Sequence, residues 1–515
     1  MKLNYKRTIL VGFAFFLISA FWTAYDSIIP LILTNKFGMS QTWSGVIMAL
    51  DNILAVFLLP VFGALSDKAR FKRGKRTPFI TVGTILASIL LFCLSFADSA
   101  QLKNLDKVAE IDNPVSLEII YDAQKDNTLI TPEGEEFVLS DMFTKEQFTA
   151  IESTFVNDEG EEEKNPAYVN YVTPARQACA ADVTKESPAP LIAFVALLLG
   201  VLISMAIFRS PAVALMPDVT IKPLRSKGNA IINLMGTAGG ILSLVLGIVF
   251  ATSSVQNSMM SYTTFFAVIA LIMLGALTIF LCTVREKKWA QDMQEDTIRL
   301  GLEEPEDDNS AKRSLSKGEM WSLICILASI ALWYFGYNAV TSKYSVYATN
   351  ILQKNFNTTM LLAQGAAIVA YIPAGLIAFK LGRKKTILGG VVLLCTAFTV
   401  ASFLRASSPD WLMNALFIVA GIAWATINVN SFPMVVELCS GGDVGKYTGF
   451  YYTASMAAQT ATPMLSGFLM DQMGMTVLFP YAAVFVGLAF VTMLLVKHGD
   501  SKVEAKAGLE ALDVD

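Results

Sequence analysis

The sequence predicts an all-α polytopic membrane protein: twelve transmembrane helices in two pseudo-symmetric six-helix halves, with a small extracytoplasmic insert. Three observations carry this. Of 515 residues, 54% are hydrophobic and the mean hydropathy is +0.52, which suits a chain dissolved in lipid better than any globular class. Apolar runs of about 20 residues, enough to cross a hydrocarbon core of roughly 30 Å as helix, recur along the chain. Basic residues gather in alternate connections, whereas one long polar segment is strongly acidic.

Span 1 covers residues 8–33, after Lys2, Lys6 and Arg7. It is too long for a signal-peptide core and carries Trp22, Tyr25 and Asp26, so a retained helix is expected. Spans 2 and 3, about 41–66 and 77–97, are joined by the basic stretch Lys68–Arg76. So short a connection makes a hairpin, and its charge puts it in the cytoplasm. Residues 98–189 carry 20 acidic and 7 basic residues and no spanning segment, so this insert is expected outside, as a small α+β unit. Within it, Ser116–Tyr121 and Thr128–Ser140 read as a β-hairpin around Pro132-Glu133-Gly134, and Asp141–Phe155 as a short helix. Residues 159–163 read as a solvated acidic turn. Spans 4–6 follow at about 190–216, 228–252 and 261–283, and Lys222, Arg225 and Lys227 mark the 4–5 connection as cytoplasmic. A charged linker, 284–318, divides the halves. Spans 7–12 lie at about 319–340, 358–381, 384–404, 410–436, 446–470 and 476–496. The polar tail, 497–515, is cytoplasmic like the N-terminus, in a multi-pass plasma-membrane protein. The first half is thus 1–97 plus 190–283, and the second is 319–496.

With the insert at −13, the remainder carries +9, concentrated in a few connections. Basic loops pinned to one membrane face are explained by topology, so no nucleic-acid partner is expected. The six cysteines have no metal or redox spacing, and a Cys93–Cys179 disulfide is not expected. The single histidine, His498, follows the last span, which leaves no imidazole for a metal site or proton relay in the membrane. A nucleophile–histidine pair, a zinc-protease helix and a phosphate loop are all missing, so no enzyme and no cofactor are expected. Gly236-Thr237-Ala238-Gly239-Gly240 reads as close helix packing by small residues.

Gly63-Ala64-Leu65-Ser66-Asp67-Lys68, followed by Gly74-Lys75-Arg76, resembles the loop signature of the major facilitator superfamily. The longer spacing between its parts, with Pro78-Phe79-Ile80 after it, is similar to the sucrose-type and glycoside–pentoside–hexuronide cation symporters. Gly375-Leu376-Ile377-Ala378-Phe379-Lys380 and Gly382-Arg383-Lys384-Lys385 occupy the matching place in the second half, with Phe379 where the first half has Asp67. The resemblance implies two six-helix bundles with a solute site between them at mid-membrane, alternating access, and a site lined by spans 1, 4, 5, 7, 10 and 11. It also implies that Asp67, Asp218 and Glu437, with Lys68 and Arg70, form gating charges at the cytoplasmic ends. It leaves the insert unaccounted for.

Charges inside a bilayer are costly and mark function or pairing. Asp26 in span 1 and Asp51 in span 2 fall at similar depth and are the candidates for proton coupling; each could instead make a structural ion pair. Arg209 in span 4 is a candidate gating residue or a counter-ion to either. Trp22 and Asp26 share a helix face with Ser19, an aromatic surface beside a carboxylate that suits a sugar. Asn233, Tyr337, Asn338, Trp424, Asn428 and Gln459 complete the candidate substrate set, because amides in hydrocarbon need partners.

These residues predict a monomeric secondary transporter in the lipid bilayer, a sugar or glycoside symporter coupled to H⁺. Na⁺ is less favoured: the melibiose-type symporters pair two aspartates four apart on span 2, whereas positions 47 and 55 here are Ile47 and Ala55. A drug or metabolite exporter of the same fold, and a membrane receptor using the insert as its ligand domain, remain open.

Overall fold

The computed structural model describes residues 3–156, 162–221, 224–299, 316–436, 438 and 444–498. In chain order, α1 (Tyr5–Asn35), α2 (Gln41–Lys68) and α3 (Thr77–Asn104) open the first bundle. The insert holds α4 (Pro114–Gln124), β1 (Thr128–Ile130), β2 (Glu136–Val138), α5 (Leu139–Met142), α6 (Lys145–Thr149), β3 (Thr154–Val156), β4 (Glu162–Lys164) and α7 (Thr173–Glu186). Three long helices, α8 (Ala189–Val219), α9 (Arg225–Val249) and α10 (Thr263–Thr283), complete the first bundle, and α11 (Glu286–Arg299) lies after it. The second bundle is α12 (Lys317–Tyr347), α13 (Phe356–Leu381), α14 (Arg383–Ala401), α15 (Asp410–Val436), α16 (Val444–Met473) and α17 (Leu478–Leu494).

Of these twelve long bundle helices, eleven are long and apolar enough to cross a membrane. The exception is α16, whose apolar run is broken by Ser455, Gln459, Thr462 and Asp471. It is 30 residues long and packs against α2 and α12, so its polar groups face protein in place of lipid. Each bundle has its own apolar core, one around Phe21, Leu91, Phe208 and Phe265, the other around Trp333, Tyr344, Val391 and Phe479. The bundles meet through α1 with α12, α2 with α16, and α9 with α13, the pairing expected of a pseudo-twofold axis. Small residues permit this. A Cβ on Gly45 would lie 2.0 Å from the Pro463 carbonyl oxygen, so only glycine lets α2 touch α16. Within the first bundle, a Cβ on Gly239 would lie 2.2 Å from the Phe16 oxygen, as the small-residue run in span 5 predicts.

The insert differs from its sequence reading. Ser116–Tyr121 is helical: Asn113 caps α4 from its side chain, Pro114 occupies the first turn, and Leu117, Ile120, Tyr121 and Gln124 bury one helical face. The hairpin lies wholly within 128–138, with Thr128 opposite Val138. The stretch 141–155 is two short helices and the start of a strand, because Thr144 and Gln147 form a capping box that restarts the helix. Residues 159–161 of the acidic turn lie outside the described residues, while Glu162–Lys164 pairs as β4 with β3. The insert core joins Phe148, Tyr168 and Val172 to Val255 and Met259 in the α9–α10 connection, which anchors it to the first half.

Lys164 donates from Nζ to the Ser253 carbonyl at 2.9 Å. Burial, together with the nearby Lys354 ammonium, pushes its amine down to about 7. In the unfolded chain a lysine keeps its proton to about pH 10.4. The folded state therefore binds fewer protons than the unfolded state between about pH 7 and 10, so stability rises with pH across that window. Lys164→Met should flatten the rise of the thermal midpoint over this range; an unchanged slope would count against the assignment.

Candidate functional site

A cavity of about 550 Å³ lies between the bundles at mid-depth. On its first-half wall, α1 presents Phe15, Ser19, Thr23 and Asp26 as one helical stripe, and α9 presents Asn233 and Thr237. The opposite wall is Tyr337, Thr341 and Tyr344 of α12, Gln364 and Tyr371 of α13, and Trp424 and Asn428 of α15. Tyr337 and Trp424 stack face to face, ring centroids 3.6 Å apart and planes 3° from parallel, and Tyr334 meets Trp424 edge-on at 5.2 Å. Asn428 and Tyr371 both face this cavity. Asn430, two residues on, instead donates to the Thr426 carbonyl of its own helix at 2.9 Å.

A second, smaller and mainly polar cavity of about 180 Å³ adjoins the first. Trp22, Asp51, Asn52, Arg209, Asn338 and Gln459 line it, and it shares Asp26 and Thr341 with the larger cavity. The Arg209 guanidinium lies 5.5 Å over the Trp22 ring, and Asn52 Nδ2 donates to Asp51 Oδ1 at 2.9 Å. Arg209 is electrostatically coupled to Asp51 without a direct ion pair. The indole nitrogen of Trp22 and the amide nitrogen of Asn338 are buried donors with no partner. Two carboxylates and one guanidinium carry a net charge that a single proton would cancel.

Charges at the basic end of the first bundle are arranged differently from the expectation. Asp67 pairs with Arg76, not with Lys68 or Arg70, which stand exposed. Arg76 is almost wholly buried; it also donates to Ser66, and from Nε to Asp218 at 2.8 Å, while Lys75 reaches Asp218 at 3.2 Å. Glu286 of α11 caps α3, accepting from the backbone nitrogens of Arg76 and Thr77 at 2.8 and 2.7 Å. Every partner belongs to the first half and its linker, so this cluster does not itself bridge the bundles. Arg209 sits apart from it, in the polar cavity. Glu437 lies outside the described residues. In the second half, Lys384 donates to the Leu494 and Val496 carbonyls at the end of α17, at 3.0 and 2.5 Å.

On the insert side the bundles are bonded together. The Asp471 carboxylate of α16 accepts from the backbone nitrogens of Gln41 and Thr42 at 2.8 and 2.7 Å and from Thr42 Oγ1 at 2.5 Å, capping α2 from the other half. Buried Lys343 donates to the Gln41 carbonyl at 2.7 Å, and Asn357 Nδ2 to Thr252 Oγ1 at 3.0 Å. These bonds join the two bundles on the insert side.

The family model described as Major Facilitator Superfamily matches residues 2–104 and 350–512, over half of the chain. The chain belongs to the Major Facilitator Superfamily. Among curated relatives, the MFS-type transporter ppzB of Metarhizium rileyi (strain RCEF 4871) is 26% identical over 132 residues, which span 26% of this chain and 27% of that protein. Solved structures match the whole fold at low identity. The inward open conformation of the xylose transporter XylE from E. coli is 13% identical, with a TM-score of 0.59 and 99% of each chain covered. A D-xylose-proton symporter is 14% identical, with a TM-score of 0.56 and 96% and 99% covered.

Within this major facilitator protein, the eight candidate substrate residues fall on the two adjoining cavities. Asp26, Asn233, Tyr337, Trp424 and Asn428 line the larger; Trp22, Asn338 and Gln459, with Asp26 again, line the smaller. Sequence reasoning passed over Thr341, Gln364 and Tyr371. The signal was present for Gln364, an amide in an apolar run like those that were chosen; nothing in the sequence set Thr341 apart from other threonines. Arg76 was passed over because it reads as one more basic loop residue until its burial is seen.

Proposed function

We propose that this major facilitator protein is a proton-coupled symporter of a small polar organic solute, a sugar or glycoside, working by alternating access between its two bundles. The observation that carries this reading is the position of Asp26. One carboxylate borders both a cavity of stacked aromatics and amides and a polar cavity holding Asp51 and Arg209. The first suits the C–H faces and hydroxyls of a sugar; the second can take up and release a proton. Two solved structures of the same fold bear the names of xylose transporters, one of them a proton symporter. Proton coupling is preferred to Na⁺ because Asp51 has no carboxylate one turn away on its helix, where positions 47 and 55 are Ile47 and Ala55. The likeness to the sucrose and glycoside–pentoside–hexuronide branch belongs to this reading. So does the orientation: insert outside, basic connections and both termini in the cytoplasm, in the plasma membrane.

With the bundles bonded on the insert side, the state described corresponds to one closed outside. The test is an uptake panel of sugars and glycosides in proteoliposomes under imposed pH and Na⁺ gradients. At least one sugar should accumulate when protons flow in with it and fail to accumulate under a Na⁺ gradient alone. Accumulation only when protons flow the opposite way would establish the exporter reading instead.

A further inference from the structure

The insert holds the two halves unequally. Toward the first half it shares an apolar core, which includes Val255 and Met259 and no residue of the second half. Its α7 also bonds the α1–α2 connection: Gln177 Nε2 donates to Asn35 Oδ1 at 2.8 Å, and a Cβ on Gly38 would lie 2.3 Å from the Ala181 nitrogen. Toward the second half it makes backbone and polar contacts from one turn. Met475 donates its backbone N–H to the Pro132 carbonyl at 2.8 Å, and Arg405 approaches Glu133 at 3.6 Å. Gly134 (φ 98°) and Gly474 (φ 84°) meet backbone to backbone, and a Cβ on Gly474 would lie 2.2 Å from the Glu133 oxygen. Both conformations are left-handed, so any side chain at either position is strained as well as obstructed. Gly474 lies three residues beyond Asp471, which grips the start of α2 from the other half.

We infer that the insert is a releasable strap: it rides with the first half, and its Pro132–Gly134 turn docks on Gly474–Met475 to favour the state closed on the insert side. An apolar core is slow and costly to open, whereas the contacts made to the second half among the described residues, one hydrogen bond, one half-exposed ion pair and a backbone contact, are not. The asymmetry is therefore that of a body fixed to one bundle and undocked from the other in each cycle. This rests on the alternating-access reading, but not on which solute or ion is carried.

The test is a distance measurement that needs no solute. Spin labels at Val249→Cys and Phe403→Cys, both exposed at the insert-side ends of opposite bundles, report opening in the full chain reconstituted in lipid, with the native cysteines replaced. Gly134→Ala and Gly474→Ala should each raise the population of the longer distance about fivefold, the weight of one backbone hydrogen bond. Cross-linking Pro132→Cys to Met475→Cys with a short bifunctional thiol reagent should abolish that population. Unchanged distance distributions in both alanine variants, or a long-distance population that survives cross-linking, would overturn the strap. Because solute is absent, such a result leaves the transport reading to be decided by uptake alone.

Discussion

Asp26→Asn should abolish accumulation driven by a pH gradient while sparing downhill exchange of solute. With one pH unit imposed, a one-to-one symporter concentrates a neutral solute about tenfold, the equivalent of about 1.4 kcal/mol; the variant should reach a ratio of about one. The argument proceeds by elimination within the two cavities. Arg209 keeps its charge and cannot exchange a proton usefully, and His498 lies beyond the last bundle helix, bonded to Ser322. Asp26 and Asp51 remain, and only Asp26 borders both the larger cavity and the polar cavity. Proton and solute then meet at one side chain, and coupling between them needs no long path. The amide of asparagine keeps the shape and hydrogen-bonding capacity but cannot cycle a proton, so exchange survives where accumulation does not. If Asp26→Asn still concentrates solute and Asp51→Asn does not, the coupling residue is on α2. If both accumulate normally, coupling through these carboxylates is wrong.

Arg76→Met should both destabilise the first bundle and stop transport, whereas Asp67→Asn should stop or slow transport with little loss of stability. Arg76 is buried among Ser66, Asp67 and Asp218, and its removal leaves two neighbouring carboxylates with only Lys75 near one of them. Stranding a partner of a buried pair costs about 3–5 kcal/mol; with Asp67 more than half exposed, about 2 kcal/mol is expected here. Asp67→Asn removes one exposed charge and keeps the Arg76–Asp218 contact. Its consequence falls on the balance between conformations, which a solute can shift only by its difference in affinity for them. Thermal unfolding in detergent, set beside uptake at matched expression, separates the two. Equal losses of stability in both variants, or normal uptake by Asp67→Asn, would show that this cluster is not a gate.

What could be read from the sequence alone is what hydrocarbon dictates one residue at a time. Apolar runs of membrane length predicted the bundle helices, and even α16 was recognised, although its polar groups take it below the hydropathy of the other eleven. Amides and carboxylates inside those runs predicted the cavity residues, because a polar group in lipid must be paired or functional. The small-residue run in span 5 predicted close helix packing, and the structure shows the partner to be α1. Only the tertiary structure decided which polar residues share a space. Trp22 and Asp26, neighbours on one helix face, share the smaller cavity, and Asp26 alone among the candidates also borders the larger. Pairings across more than a hundred residues, such as Arg76 with Asp218 or Asp471 with the start of α2, leave no local trace, since either partner alone looks like a solvated charge at a helix end. The insert was misread where a capped helix and a strand share the same apolar letters: Leu117, Ile119, Ile120 and Tyr121 fit either, and the Asn113 cap with burial of one face settled it as α4. Its docking on Gly474 was invisible for the same reason, because two glycines far apart in the chain reveal a backbone contact only once the fold brings them together.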